Sequence, residues 1–189
     1  MSEHAQIDGV YPFPAVMQTQ TIETNGTSIY VRVGGHGPAV VMLHGFGTTG
    51  DMWGHLVSAL IEDHMVVAPD LRGSGLSSKP DGGYDKKNQA ADVVGVLDAL
   101  GVRTAELVTH DIGIMVGFAV AATHSERVSR WVAIDAPLPG VGPLGSDQTE
   151  SGNVALWLRW SGHGAPGRWP RAHLSRPLLE RTFPGPEAV

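Results

Sequence analysis

The sequence contains no cysteine, which excludes disulfides, thiolate metal sites and a cysteine nucleophile. It has no stretch near the roughly 18 apolar residues of a membrane span. Its N-terminus also lacks a basic region followed by an apolar run, the pattern of a secretory signal. We therefore expect a cytoplasmic protein with no membrane partner. The net charge of −6 argues against the basic face that nucleic-acid binding needs, so no nucleic-acid partner is expected.

Close metal-ligand spacing is also absent, because the nine histidines are scattered along the chain, and we predict no metal site. The composition that remains is typical of one globular domain, with 42% hydrophobic and 17% charged residues over 189 positions. The 25 glycines favour a fold in which tight turns join many strands and helices.

Hydrophobic patterning predicts strands and helices in alternation. Two β-rich runs, 17–23 and 27–33, flank Asn25-Gly26, a dipeptide suited to a tight hairpin. Apolar runs predict four further strands, at 39–43, 65–68, 105–109 and 128–134. Helical spacing predicts three helices, at 51–62, 87–100 and 113–124. The repeated strand–helix–strand units predict an α/β fold with a doubly wound, mainly parallel sheet.

The strongest motif follows the strand at 105–109. Thr109-His110-Asp111-Ile112-Gly113 has the spacing of a nucleophile elbow, with Asp111 in the central position. Such a turn strains the central residue and requires small flanking residues, so Gly113 fits well and Thr109 less well. The amides of the following helix should keep the Asp111 carboxylate ionised. An aspartate after a strand is also compatible with a helix N-cap, which is the alternative role.

A second motif, HGFG at 44–47, follows the strand at 39–43. Ligands of open α/β sheets bind beyond the carboxyl ends of the strands, so this motif should lie beside the elbow. The backbone N–H groups of Phe46 and Ile112 are expected to converge there as an oxyanion hole. Supporting roles fall to Gly45 and Gly47, which let the loop approach closely.

Two histidines and a charged turn have a structural interpretation. We interpret His44 as a hydrogen-bonding residue of the oxyanion loop and His110 as a packed residue beside the elbow. Asp70 and Arg72, in the turn after the strand at 65–68, could form an anion site or a buried turn network, and we favour the network.

Three segments, AVVMLHGFG, VVAPDLRGSGLSSKP and VTHDIGIMVGFAVA, resemble the serial signatures of the epoxide hydrolase and haloalkane dehalogenase-like branch of the α/β-hydrolase superfamily. The resemblance covers roughly residues 20–140. It implies the α/β-hydrolase fold and a hydrolase in which Asp111 attacks carbon to give an alkyl-enzyme ester. It also implies amide donors at Phe46 and Ile112, and a late histidine, oriented by an acid, that activates water. Because this chemistry needs only water and a small apolar substrate, no cofactor is expected.

The residue after the nucleophile favours one activity within this branch. Haloalkane dehalogenases resemble each other in a halide-binding tryptophan there, and fluoroacetate dehalogenases in a carboxylate-binding arginine, whereas this chain has Ile112. The resemblance therefore implies hydrolysis of an epoxide or a related small ester. The alternatives are a haloalkane or haloacid dehalogenase and a catalytically inactive fragment. Two departures from the family pattern, Thr109 for glycine and Gly47 for proline, leave the fine specificity open.

The C-terminal part of the chain differs from the rest. Residues 151–189 hold five arginines and two acidic residues, against eight basic and seventeen acidic residues in 1–150. His163 and His173 lie in this Pro/Gly-rich part, and neither follows an apolar strand run. We predict the first part of a hydrolase core over 1–137, and over 138–189 either the start of a cap region or an aberrant, truncated segment without the base. An incomplete sheet would leave an unpaired edge that allows self-association.

Overall fold

The computed structural model describes residues 12–135 and 155–159, and within them one seven-stranded sheet organises the chain. The strands are β1 (Gln18–Thr24), β2 (Thr27–Gly34), β3 (Ala39–Leu43), β4 (Met65–Pro69), β5 (Ala105–His110), β6 (Val128–Ile134) and β7 (Ala155–Arg159). Their order across the sheet is β1-β2-β4-β3-β5-β6-β7. The central strands β4, β3, β5 and β6 are parallel, whereas β1, β2 and β7 join antiparallel.

Helices cover both faces of the sheet. They are α1 (Gly54–Leu60), α2 (Lys86–Ala99) and α3 (Ile112–Thr123), with 3-10 turns at Gly50–Trp53 and Ser125–Arg127. Alternate residues of β3 face opposite sides of the sheet. Val41 and Leu43 pack in the larger core with α2 and α3, whereas Val40 and Met42 pack with Trp53 on the other face. Burial on both faces explains why β3 is a continuous apolar run. No helix of residues 12–135 has the length and apolar character needed to cross a membrane.

The sequence predictions for the core are confirmed with small shifts at the ends. The strands predicted at 39–43 and 128–134 have the predicted bounds. The hairpin turn at Asn25 and Gly26 takes φ values of 47° and 70°, which asparagine and glycine tolerate best. The helix predicted at 51–62 is corrected, since the chain forms a 3-10 turn first and α1 covers only Gly54–Leu60.

The C-terminal strand β7 was not anticipated from the sequence. It pairs antiparallel with β6, from Arg130 opposite Arg159 to Ile134 opposite Ala155. The edge of β6 that faces away from β5 is therefore paired with a strand of the same chain. The remainder of the proposed second segment, including His163 and His173, lies outside the described residues.

Sheet register brings the two predicted motifs together. β3 and β5 are parallel neighbours, and Leu43, the last residue of β3, stands opposite Thr109 in β5. The loop that starts at His44 and the elbow that contains Asp111 therefore leave the sheet side by side. The N-terminus of α2 lies at the same edge, because α2 connects β4 to β5.

Candidate active site

Asp111 occupies a sharp turn between β5 and α3, in a conformation that few non-glycine residues adopt. Its φ is 48° and its ψ is −119°. The turn is fixed on both sides, since the Asp111 N–H donates to the carbonyl of Ile134 at 3.2 Å and the Asp111 carbonyl accepts from the N–H of Ile114 at 2.9 Å. A non-glycine residue that its surroundings hold at positive φ is typical of functional sites. The Asp111 side chain makes no capping hydrogen bond to α3, which disfavours the N-cap role.

Small residues make room for this turn. A Cβ atom placed on Gly113 would lie 2.5 Å from the carbonyl oxygen of Leu43, so only glycine lets α3 begin this close to β3. One turn further along α3, a Cβ on Gly117 would lie 2.9 Å from Cγ2 of Thr109. Gly117 thus provides the space that the elbow needs to accept threonine in place of glycine.

Hydrogen bonds to β6 also hold the Thr109 side chain in place. Its side chain is fully buried. Its Oγ1 accepts from Nε1 of Trp131 at 2.8 Å and donates to the carbonyl of Val132 at 3.2 Å. The departure from the usual glycine is therefore matched by a partner on β6, and the sequence alone could not identify that partner.

The loop after β3 reaches the carboxylate of the elbow. The backbone N–H of Phe46 donates to Oδ2 of Asp111 at 2.8 Å. A Cβ atom on Gly45 would lie 2.5 Å from Nδ1 of His110, so glycine is needed for this close approach. Gly47 has a φ of 69°, which proline cannot adopt, and this explains the second departure from the family pattern. The Phe46 side chain itself is 80% exposed to solvent.

Ile112, the second predicted amide donor, is the first residue of α3. N–H groups in the first turn of a helix have no acceptor within the helix. The Ile112 N–H therefore has no acceptor within α3, and its role as an oxyanion donor stays a prediction.

His44 anchors the base of the loop. It is fully buried, with Nδ1 2.8 Å from the Gly45 carbonyl, while Nε2 accepts the N–H of Leu71 at 2.9 Å. These contacts require the neutral tautomer that carries its proton on Nδ1. Burial lowers the pKa of His44 despite the opposing effects of the Gly45 carbonyl and Asp70. Since both nitrogens are engaged, His44 has no free atom for proton transfer.

Asp70 and Arg72 belong to two buried ion pairs. Asp70 accepts from Nη1 of Arg32 at 2.7 Å and from the N–H of Gly50 at 2.8 Å. Arg72 donates through Nε to Asp92 at 2.7 Å. Every one of these groups has its partner inside the protein, so the turn is a network that supports the loop and not an anion site.

Lys86 is a charged residue of this region that the sequence analysis did not single out. It begins α2, its side chain is half-buried, and its Nζ donates to Oε1 of Gln89 at 2.8 Å. Burial lowers the pKa of its ammonium, against the opposing effect of the Asp111 carboxylate. A lysine at the first position of a helix, where cations are disfavoured, was the signal available in the sequence.

A general base is not provided by the histidines next to the elbow. His44 is engaged at both nitrogens, and Nδ1 of His110 is buried with no hydrogen-bond partner among the described residues. Nδ1 of His110 therefore has no acid partner of the kind that orients a catalytic histidine in the part of the chain that the structure describes. Over the same residues, no group of three or more His, Asp or Glu side chains is arranged to hold a metal ion.

Comparison with known proteins gives a family match over the same region. A family model described as alpha/beta hydrolase fold matches residues 38–165. A cis-3-alkyl-4-alkyloxetan-2-one decarboxylase from Shewanella oneidensis is 36% identical over 159 residues, which are 80% of this chain and 46% of that protein. Epoxide hydrolase A from Mycobacterium tuberculosis is 36% identical over 121 residues, 61% of this chain and 38% of that protein.

A solved structure resembles the fold as well. The crystal structure of an epoxide hydrolase from Vigna radiata superimposes with a TM-score of 0.63 at 34% identity, covering 65% of this chain and 39% of that one. The chain thus spans less than half the length of each of these relatives.

Proposed function

Because the chain belongs to the α/β-hydrolase fold family, we propose that it opens small epoxides through a covalent ester on Asp111. The observation that carries this proposal is the geometry of the elbow, where a strained aspartate at the start of α3 accepts a hydrogen bond from the Phe46 N–H at 2.8 Å. One carboxylate oxygen is held by the loop, and the other is left to attack. Sequence similarity to epoxide hydrolases supports the choice of substrate class.

The chemistry assigns different tasks to the two carboxylate oxygens. Oδ1 of Asp111 attacks a ring carbon, the carbon–oxygen bond of the epoxide breaks, and the ring oxygen leaves as an alkoxide that takes a proton from water. Oδ2 then becomes the carbonyl oxygen of the ester. When water adds to this ester, negative charge develops on Oδ2, where the N–H groups of Phe46 and Ile112 would stabilise it. Removing one such donor typically reduces the rate about 10²–10³-fold.

Release of the ester requires a base that activates water. The hydrogen bonds at both nitrogens of His44, and the lack of a partner for Nδ1 of His110 among the described residues, argue against that role for either of them. We therefore propose that neither His44 nor His110 activates the water that releases the ester.

A second substrate class is favoured by the extent of one match. The oxetanone decarboxylase relative aligns over 80% of this chain, more than the epoxide hydrolase relative described above. An oxetan-2-one is a strained four-membered ring, and attack by Asp111 on its alkyl carbon would open it with a carboxylate as leaving group. The same elbow could serve either ring. A dehalogenase activity is less favoured, because the aliphatic Ile112 side chain offers no donor to a halide or carboxylate.

The test is intact mass spectrometry after incubation with styrene oxide, comparing the parent chain with Asp111→Asn. We expect an increase of one substrate mass on the parent in samples quenched with acid during the incubation, and none on the variant, whose amide keeps the size of the side chain. A parallel incubation with a 3,4-dialkyl oxetan-2-one shows which ring reacts faster. A folded parent chain that gains no mass from either reagent would contradict the proposal.

A further inference from the structure

The peptide that joins Gly45 to Phe46 is hydrogen-bonded at both its N–H and its carbonyl. Its N–H, which belongs to Phe46, donates to Oδ2 of Asp111 at 2.8 Å. Its carbonyl, which belongs to Gly45, points the opposite way, because the described residues contain no cis peptide bond. The direction of the Phe46 N–H is therefore set by the groups that bind the Gly45 carbonyl.

Thr48 supplies two of the hydrogen bonds to that carbonyl. Its backbone N–H lies 3.4 Å from the Gly45 oxygen and closes a four-residue turn. Gly47, the third residue of this turn, has a φ of 69°, the positive value that a type II turn requires there. The hydroxyl of Thr48 donates to the same oxygen at 2.9 Å. The turn alone thus gives a long hydrogen bond to the carbonyl, and the hydroxyl adds a shorter one.

The hydroxyl of Thr48 has one proton and two acceptors within reach. The second acceptor is the sulfur of Met52, at 3.4 Å. A thioether sulfur is a weak acceptor, so the proton belongs to the Gly45 carbonyl. The other side chain that binds this oxygen is the buried His44, through Nδ1 at 2.8 Å. The carbonyl is therefore held by the residue before it and by the residue three positions after it.

We propose that Thr48 is a positioning residue that directs the Phe46 N–H to Asp111 through the Gly45 carbonyl. This inference rests on the proposed function, in which that N–H stabilises the negative charge on Oδ2 when the ester is cleaved. Hydrogen bonds in a chain polarise one another, so a donor on the carbonyl also strengthens the N–H of the same peptide. Thr48 acts through this peptide and not on the carboxylate itself.

The first experiment measures the Phe46 N–H directly and needs no substrate. Amide hydrogen exchange is followed by NMR in the parent, in Thr48→Val and in Thr48→Ser. Valine keeps the shape of threonine without the hydroxyl, so the Phe46 N–H should exchange about 3–10 times faster, as expected for one lost hydrogen bond. Serine keeps the hydroxyl and should restore most of the protection. The amide of Met42, inside β3, should exchange equally slowly in all three proteins.

Thr49→Val is the matched control. Thr49 is the next residue of the loop, and its hydroxyl oxygen accepts from the Asp51 N–H at 3.3 Å at the start of the 3-10 turn. Its removal tests whether loss of any hydroxyl in this loop frees the Phe46 N–H. The Phe46 N–H in Thr49→Val should exchange at the parent rate, and an equal rise in Thr48→Val and Thr49→Val would overturn the inference.

The second experiment measures the effect on ester cleavage. The parent, Thr48→Val and Thr48→Ser are alkylated with styrene oxide, the excess is removed, and hydroxylamine is added. Its nitrogen bonds to the carbonyl carbon of the Asp111 ester and loses a proton to the departing alkyl oxygen, which leaves a hydroxamate and a diol. Because this step places negative charge on Oδ2, the ester on Thr48→Val should disappear about 3–10 times more slowly in acid-quenched samples. Thr48→Ser should match the parent, and in urea all three esters should be cleaved at one rate.

The two experiments separate this inference from the proposed function. An unchanged exchange rate of the Phe46 N–H in Thr48→Val, or a rise that serine does not reverse, would overturn the positioning role. Faster exchange in Thr48→Val with no ester on any chain would support the hold on the N–H and contradict the proposed function. An ester that is lost equally fast from the folded parent and Thr48→Val would overturn the contribution of Thr48 to the reaction.

Discussion

Strain at the elbow leads to a prediction that compares two replacements of Asp111. Its φ of 48° and ψ of −119° suit glycine and disfavour every residue that has a Cβ atom. Asp111→Ala keeps the Cβ and its strain, whereas Asp111→Gly removes both. Such a conformation costs about 1–3 kcal/mol, and the greater freedom of glycine in the unfolded chain offsets about 0.5–1 kcal/mol of the gain. The difference, about 0–2.5 kcal/mol with a central value near 1 kcal/mol, favours the stability of Asp111→Gly over that of Asp111→Ala.

The assay is urea unfolding at 25 °C, followed by circular dichroism and by tryptophan fluorescence. Both variants lose the carboxylate and its hydrogen bond from the Phe46 N–H, so this loss cancels in the comparison. Coincident transitions and equal slopes against urea are needed before the free energies are compared. An alanine variant as stable as the glycine variant, or more stable, would refute the argument that the elbow is strained.

Three further predictions concern the supports of the site. Gly113→Ala should destabilise the fold by about 1–3 kcal/mol in urea unfolding, because its Cβ would lie 2.5 Å from the Leu43 carbonyl oxygen. Thr109→Val should cost about 1–3 kcal/mol, since it leaves the buried Nε1–H of Trp131 without an acceptor. The lowered pKa of His44 means that the unfolded chain binds more protons below about pH 6.5, so stability present above that pH should decline as the pH falls.

Each of these predictions has a matched control. Gly82→Ala adds a Cβ in open space at ordinary φ and should have little effect; equal losses in Gly82→Ala and Gly113→Ala would contradict the packing argument. Thr109→Ser keeps the hydroxyl and should restore most of what Thr109→Val loses. In His44→Gln the decline of stability between pH 7 and 5 should be shallower, and an unchanged slope would show that His44 is not responsible.

Much of the fold follows from local patterns in the sequence. β3 and β6 were predicted with their observed bounds because continuous or alternating apolar residues leave little choice of strand. The elbow at Asp111 was found because the strand–nucleophile–helix spacing depends on neighbouring residues alone. By contrast, β7 pairs with β6 across a separation in the chain, and the Arg- and Pro-rich composition around it concealed a short strand.

The details of the site depended on contacts between distant residues. Thr109 and Gly47 departed from the family pattern, and only the fold shows the Trp131 hydrogen bond and the positive φ that accommodate them. Lys86 was missed because the half-burial of its side chain and its hydrogen bond to Gln89 depend on the fold. Sequence periodicity places a residue on a helix face, but it does not show which strand end that face meets.

The central claim, that Asp111 is a nucleophile, is tested most directly by locating the covalent bond. After incubation with styrene oxide, the tryptic peptide 104–127 is sequenced by tandem mass spectrometry; it contains Asp111 together with His110, His124 and two glutamates. We expect the mass at Asp111 to increase by that of one substrate molecule. This increase should disappear when mild base cleaves the ester. A mass found on His110, on a glutamate or nowhere in this peptide would contradict the account.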